Sequence, residues 1–367
     1  MDSSLSNHLG SGRSLRQARD ELPTAPLPFL LRRENVARYE DGVVIIGDRR
    51  KYPFERAFER CEDVESVARA IEDMVTQGGG PWVAAVYGLA MAARQVEGQP
   101  AEAVRGHLER ARARLVATRP TNTSLPRLLG RAMTVAEGAL ASDAPLEATL
   151  LQWIEQTRDE YYARAAKMGR LGADLTEDGD GILTMCFAET SFLLSLSFAH
   201  QAGKRIQVYT PETRPYLQGA RLTAPSVHEL GIPVQIITDN MPAYLMSQGK
   251  IHKYFTAADL VTLDGHVVNK IGTFQNALAA CYHGIPYFVF SMGPDPKRPD
   301  RASIVVEERD PAEIRTCRDV PTTIEEIAAY YPAFDITPPH LVAGVITEHG
   351  VLSAYDLARW YGQPNQP

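Results

Sequence analysis

The chain has 367 residues, 44% of them hydrophobic, and a formal net charge of −7. That is enough apolar material for two domains, and the acidic balance sets aside a nucleic-acid groove or an anionic membrane surface as partner. The four cysteines (Cys61, Cys186, Cys281, Cys317) are widely spaced without a CxxC pair, so neither a disulfide framework nor a zinc ribbon is expected and a reducing cytoplasm fits.

The opening MDSSLSNHLGSGRSLRQARDE has no apolar signal-peptide core, and no later run approaches the roughly 20 apolar residues of a membrane span. Residues 1–25, rich in Ser, Gly and Arg, are expected to form a flexible arm. Short strands are predicted on either side of Asp41-Gly42, a pair that commonly joins hairpin strands. In CEDVESVARAIEDMVTQ, the residues Val64, Val67, Ile71, Met74 and Val75 recur at helical spacing. The segment stops at Gly78-Gly79-Gly80-Pro81 before the apolar WVAAVYGLAMAARQ. A glycine-rich loop at a helix N-terminus offers free N–H groups and a favourable dipole to an anion, though it can equally be a plain turn. Two further helical stretches, PAEAVRGHLERARARLVAT and PLEATLLQWIEQTRDEYYARAAKMGRLGADL, are separated by RPTNTSLPRLLGRAM. Residues 26–175 are therefore expected to be a mainly helical domain with a small sheet.

Near residue 180 the texture changes to short β-branched runs alternating with amphipathic segments: GILTMC, RIQVYT, IPVQIITD and IPYFVFSMG are the strand-like ones. Such alternation predicts an α/β, Rossmann-like parallel-sheet domain over residues 176–367. One strand is ambiguous, because YFTAADLVTLDG contains two short apolar runs.

Open parallel sheets bind ligands beyond the carboxyl ends of their strands. There the sequence places Cys186, then Glu212, Arg214, Gln218 and Arg221, then Asp239-Asn240, then Asp259 or Asp264, with Asn269 and Lys270 expected to open the next helix. Each has a structural alternative: a cysteine ending a strand is commonly core, aspartates cap helices, and arginines form surface ion pairs. Together they predict a polar pocket.

The blocks ETRPYLQGARLTA, GIPVQIITDNMPAYLM, NKIGTFQNALAACYHGIPYFV, VVEERDP and FDITPPHLVAGVITEHGV, in this order, resemble the methylthioribose-1-phosphate isomerases. Related families are the ribose-1,5-bisphosphate isomerases and the regulatory subunits of the eukaryotic initiation-factor nucleotide-exchange complex. The resemblance implies an aldose–ketose isomerase acting on a small sugar phosphate without cofactor or metal, and a homodimer. It implies a catalytic Cys186 and Asp259, with KYFTAA as the strand before the acid and Asp264 as the alternative. It assigns substrate binding to Arg119, Gln218, Asn269 and Lys270, and to the backbone of Gly78, Gly79 and Gly80.

Two departures stand out. The family's Arg-Gly-Ala-Pro loop is TQGGGPW here, without its arginine, and its His-Cys-Asn is Met185-Cys186-Phe187, followed by AETS where a glycine-containing turn is usual. Both bear on the substrate, so an isomerase for a different ribose phosphate and a non-catalytic assembly subunit stand as alternatives. No GxGxxG follows a strand, which disfavours a nicotinamide-dependent enzyme.

Overall fold

The computed structural model describes residues 27–119 and 124–361; the predicted arm lies outside them. Strands β1 (Ala37–Glu40) and β2 (Val43–Gly47) form the expected hairpin, and β3 (Phe58–Cys61) completes an antiparallel sheet. Asp41 and Gly42 both have positive φ, 49° and 85°, the pattern of a tight two-residue hairpin turn.

Five helices follow: α1 (Val64–Glu72), α2 (Gly80–Gln95), α3 (Ala101–Ala117), α4 (Ser124–Ala141) and α5 (Leu146–Leu175). Asp63 starts α1 by a reciprocal capping box with Ser66. The helix ends sooner than its apolar pattern predicts, because Met74 takes φ 59° and turns the chain, although Val75 is still buried. Helix α2 is buried almost all round and forms the centre of the first core. The separator expected at 119–133 is corrected from Ser124 onward, where α4 begins. Pro126, Gly130 and Gly138 weaken its intrinsic propensity, but Leu125, Leu129, Ala132, Ala136 and Ala139 bury one face, and packing outweighs propensity. Helix α5 ties two cores together: Leu150 and Ile154 belong to the first, Met168 and Ala173 to the second.

The second half continues β4 (Gly181–Leu183), α6 (Glu189–Gln201), β5 (Gln207–Pro211), α7 (Ala224–Glu229), β6 (Val234–Ile237), α8 (Pro242–Ser247), β7 (Lys253–Ala257), β8 (Leu260–Val261), β9 (Val267–Lys270), α9 (Thr273–Tyr282) and β10 (Tyr287–Phe290). Then come the two-residue strands β11 (Thr316–Cys317) and β12 (Val320–Pro321), followed by β13 (Phe334–Thr337), β14 (Gly344–Thr347) and β15 (Gly350–Leu352). The main sheet has seven strands in the order β15-β14-β10-β7-β4-β5-β6, parallel except for the β14-β15 pair. From β4 the chain works outward through β5 and β6, then returns to β7 and works outward the other way, so the direction reverses between β4 and β7.

Both faces of this sheet are covered, as its apolar strands require. Ile182, Val208, Phe255, Phe290 and Ile346 pack with Phe192 and Leu196 of α6. Their strand neighbours Leu183, Tyr209, Tyr254, Val289 and Val345 point the other way and pack with Met246 of α8 and Ala277 of α9.

The ambiguous segment resolves into two strands of different sheets. KYFTA is β7 of the main sheet, while Leu260–Val261 is β8 of a small sheet ordered β13-β9-β8. Asn269 and Lys270 therefore do not open a helix: they end β9, opposite Asp335 and Phe334 of β13. Helix α9 starts at Thr273, after Gly272 at φ 99°. The strand GILTMC is likewise shorter than predicted and stops at Leu183, leaving Cys186 in the loop beyond it.

Candidate active site

Cys186 follows β4 at the point where the sheet reverses direction, the position where open parallel sheets form a crevice. Its backbone takes φ 61°, rare for a residue with a side chain. Two threonines hold that turn: the Cys186 N–H donates to Thr213 Oγ1 (3.2 Å), and the Thr223 hydroxyl donates to the Cys186 carbonyl (2.5 Å). Burial pushes the thiol up to about 11, with Lys270 and Arg309 pulling it down and Asp259 pushing it further up. The free protein therefore holds Cys186 as a thiol near neutral pH.

Asp259 follows β7, the neighbour of β4, and its N–H donates to the carbonyl of Val268 in β9 (3.0 Å). The residue is open to solvent, yet protein surrounds its carboxyl on most sides. Those surroundings push the carboxyl up to about 6, against the pull of Lys270 and Arg309 and with help from Glu307 and Glu189. Asp264, the alternative, is engaged in a local turn, accepting from the Thr262 hydroxyl and pairing with His266 Nδ1 at 2.9 Å.

Lys270 is 3% exposed, and its ammonium has no hydrogen-bond acceptor among the described residues. It lies 4.9 Å from the centre of the Phe334 ring and 5.8 Å from that of Tyr331. Burial lowers its pKa, and Cys186 and Asp259 oppose that shift. Asn269 is also buried and donates to Thr273 Oγ1 (3.1 Å). Gln218 is buried with its Oε1 lacking a partner among the described residues. Arg119 comes from the far end of α3, anchored to the Ile71 carbonyl (3.0 Å) and Met74 sulfur; burial lowers its pKa, and Arg309, Glu307, Tyr216 and Asp259 all act on it. A thiol, a carboxyl, an ammonium and guanidinium groups thus share one electrostatic environment.

Sequence reasoning missed Arg309, which acts on Cys186, Asp259, Lys270 and Arg119. Its Nε donates to Glu307 (2.7 Å) and its guanidinium lies 5.8 Å from the Phe334 ring centre. It belongs to the quoted block VVEERDP, the one signal in the sequence that could have marked it.

The glycine loop has a partner already. The Gly79 N–H donates to Glu189 Oε2 (2.7 Å), and Glu189 Oε1 accepts from Arg49 (2.9 Å). The Gly80 N–H is used by the Gln77 carbonyl. Several other polar residues at the sheet edge are braces. Asp239 accepts the N–H groups of Thr213 and Arg214 at 2.8 and 2.7 Å, Arg214 donates to the carbonyls of Ile314 and Thr316, and Arg221 donates to the carbonyl of Arg49.

The model of the initiation factor 2 subunit family matches residues 81–354. A methylthioribose-1-phosphate isomerase from Syntrophotalea carbinolica is 39% identical over 326 residues, 86% of this chain and 94% of that protein. A putative methylthioribose-1-phosphate isomerase from Aeropyrum pernix is 36% identical over 336 residues, 86% of this chain and 89% of that one. Among solved structures, the 5-methylthioribose 1-phosphate isomerase from Pyrococcus horikoshii superposes with a TM-score of 0.77 at 30% identity, covering 94% of this chain and 97% of its own. The translation initiation factor eIF-2B subunit delta from A. fulgidus superposes with a TM-score of 0.76 at 33% identity, covering 91% and 98%.

Proposed function

This chain belongs to the initiation factor 2 subunit family, and on that premise we propose that it is an aldose–ketose isomerase converting 5-methylthioribose 1-phosphate, or a closely related 5-substituted ribose 1-phosphate, to the corresponding ribulose 1-phosphate. The observation that carries the reading is the pairing of Cys186 and Asp259 beyond β4 and β7, adjacent strands at the reversal of the sheet. A subunit that only binds and assembles has no use for a thiol and a raised-pKa carboxyl in one crevice. The names of the relatives that match most of this chain support the substrate. The strand order supports a Rossmann-like sheet whose crevice holds the sugar.

In an aldose 1-phosphate the phosphate ester locks the anomeric carbon in the ring, so the ring must open first. Protonated Asp259 gives its proton to the ring oxygen, the C1–O4 bond breaks, and an oxocarbenium-like C1 results. Its raised pKa suits that role. A hydride then passes from C2 to C1, and the C2 hydroxyl loses its proton to the emptied Asp259 carboxylate, giving the ketose and restoring the acid. Cys186, held as a thiol, forms the uncharged wall beside the migrating hydrogen, which favours this route over proton abstraction by a thiolate. Lys270 and Arg119 hold the phosphate, while Asn269 and Gln218 hold hydroxyls.

The four free thiols support a reducing, cytoplasmic setting. The exposed apolar side chains of Met241, Tyr244, Leu278 and Tyr282, on or beside the packed helices α8 and α9, support a homodimer. The test is to follow ketose formation by NMR with purified protein and 5-methylthioribose 1-phosphate. Conversion is expected; no turnover of this sugar, its 5-deoxy analogue or ribose 1,5-bisphosphate by folded protein would reject the isomerase.

A further inference from the structure

Tyr331 is 2% exposed, yet its hydroxyl makes no hydrogen bond among the described residues. A buried hydroxyl without a partner is uncommon, because taking it out of water costs free energy that nothing then offsets. The backbone holds the side chain in that position from two sides. On one side the Tyr331 carbonyl accepts the Arg309 N–H (3.0 Å) and the Ala333 N–H donates to the Glu307 carbonyl (2.8 Å). On the other, the Ala333 carbonyl accepts the N–H of Ile271 (3.0 Å), the residue after Lys270. Tyr331 is thereby fixed against the end of β9.

The groups around the hydroxyl leave its hydrogen unclaimed. Lys270 Nζ stands 5.8 Å from the centre of the Tyr331 ring and is itself buried without an acceptor among the described residues. Burial pushes the phenol up to about 12, Arg309 pulls it down, and Glu313 and Cys186 push it further up. The hydroxyl therefore keeps its proton near neutral pH. Ammonium and guanidinium groups only donate, so neither Lys270 nor Arg309 can accept it. Glu313 acts on the phenol without bonding to it. Tyr331 and Lys270 thus leave two neighbouring donors unmatched, both within electrostatic reach of Cys186. Their counterpart has to be an acceptor, and the ammonium favours an anionic oxygen.

We propose that Tyr331 is a further substrate-binding residue, its hydroxyl donating to the sugar's phosphate beside the Lys270 ammonium. The two donors differ in what they contribute. Lys270 is a compact charge with rotatable N–H groups, whereas the clamped ring offers one O–H from a fixed position. The inference rests on the isomerase reading for its sugar, but inorganic phosphate probes the anion site without it.

The test is Tyr331→Phe, which keeps the ring beside Lys270 and removes only the hydroxyl. Calorimetric binding of 5-methylthioribose 1-phosphate and of inorganic phosphate is compared with wild type, together with thermal unfolding of the free proteins. The Kd for both ligands should rise about tenfold or more. The free variant should melt no lower than wild type, since it loses a hydroxyl that nothing in the protein matches. A tyrosine that only fills space would leave both affinities unchanged, and one that braces the fold would lower the Tm; either result overturns the assignment. So would a variant weakened toward the sugar phosphate alone, which would put the hydroxyl on a sugar oxygen, or a wild type that binds neither ligand. Wild type that binds inorganic phosphate, loses it in Tyr331→Phe and converts no sugar would reject the isomerase reading and leave Tyr331 its anion.

Discussion

Cys186 and Asp259 are separated by more than seventy positions in the chain, yet they leave the carboxyl ends of hydrogen-bonded neighbours: Leu183 of β4 stands beside Tyr254 of β7 in the ladder. The pairing puts a thiol and an acid beyond the same edge of the sheet, with Lys270 and Arg309 acting on both.

Replacing either group should slow turnover without unfolding the protein. Asp259→Asn should lower kcat by about a hundredfold or more, and Cys186→Ala, which alters only the wall beside the migrating hydrogen, by a smaller factor, with circular dichroism unchanged. Near-wild-type kcat in either variant would remove that residue from the chemistry.

The acid role proposed for Asp259 fixes the sign of the pH dependence. Asp259 must be protonated to open the ring, so kcat/KM should fall as pH rises through about 6. The same shift links to stability. The folded state holds this proton more tightly than the unfolded chain, whose value lies near 3.8, so stability declines as pH rises from about 4 through about 6. The Tm advantage of Asp259→Asn over wild type should grow across that window and be flat above it.

Hydrogen transfer is read by isotope. With Cys186 held as a thiol, turnover in deuterium oxide should give ketose that keeps the substrate's C2 hydrogen at C1. Solvent deuterium at C1, seen by proton NMR, would instead establish abstraction through an enolate.

Lys270 should trade stability for binding. Lys270→Met removes a buried ammonium that two aromatic rings only partly compensate, so the variant should melt higher, by up to about 4 kcal/mol of stability. Its KM should rise roughly ten- to hundredfold through loss of a charge-assisted bond to phosphate. A lower Tm together with unchanged KM would contradict both halves.

Gly78→Ala should destabilise by about 1–3 kcal/mol, since the new methyl both meets the Glu189 carboxylate and takes an unfavourable φ. Denaturant unfolding measures it, and a neutral result would mean that Glu189 moves freely off the loop.

Local sequence determined most of the elements. Asp41-Gly42 announced the hairpin, helical periodicity announced α1, α3 and α5, and apolar runs announced β5, β6 and β10, because each depends on neighbours within a few positions. Through its resemblance the sequence also pointed to Cys186, Asp259 and Lys270. Tertiary structure decided the rest. Asn269 and Lys270 form a strand because Asp335 and Phe334 pair with them from sixty-odd residues away, which no local window contains. Helix α4 exists because its apolar face meets a core that compensates for Pro126 and two glycines. Arg309 acts on the site, and Glu189 occupies the glycine loop, only because distant segments meet in space. Charge and hydrogen bonding depend on that proximity, and separation along the chain does not reveal it.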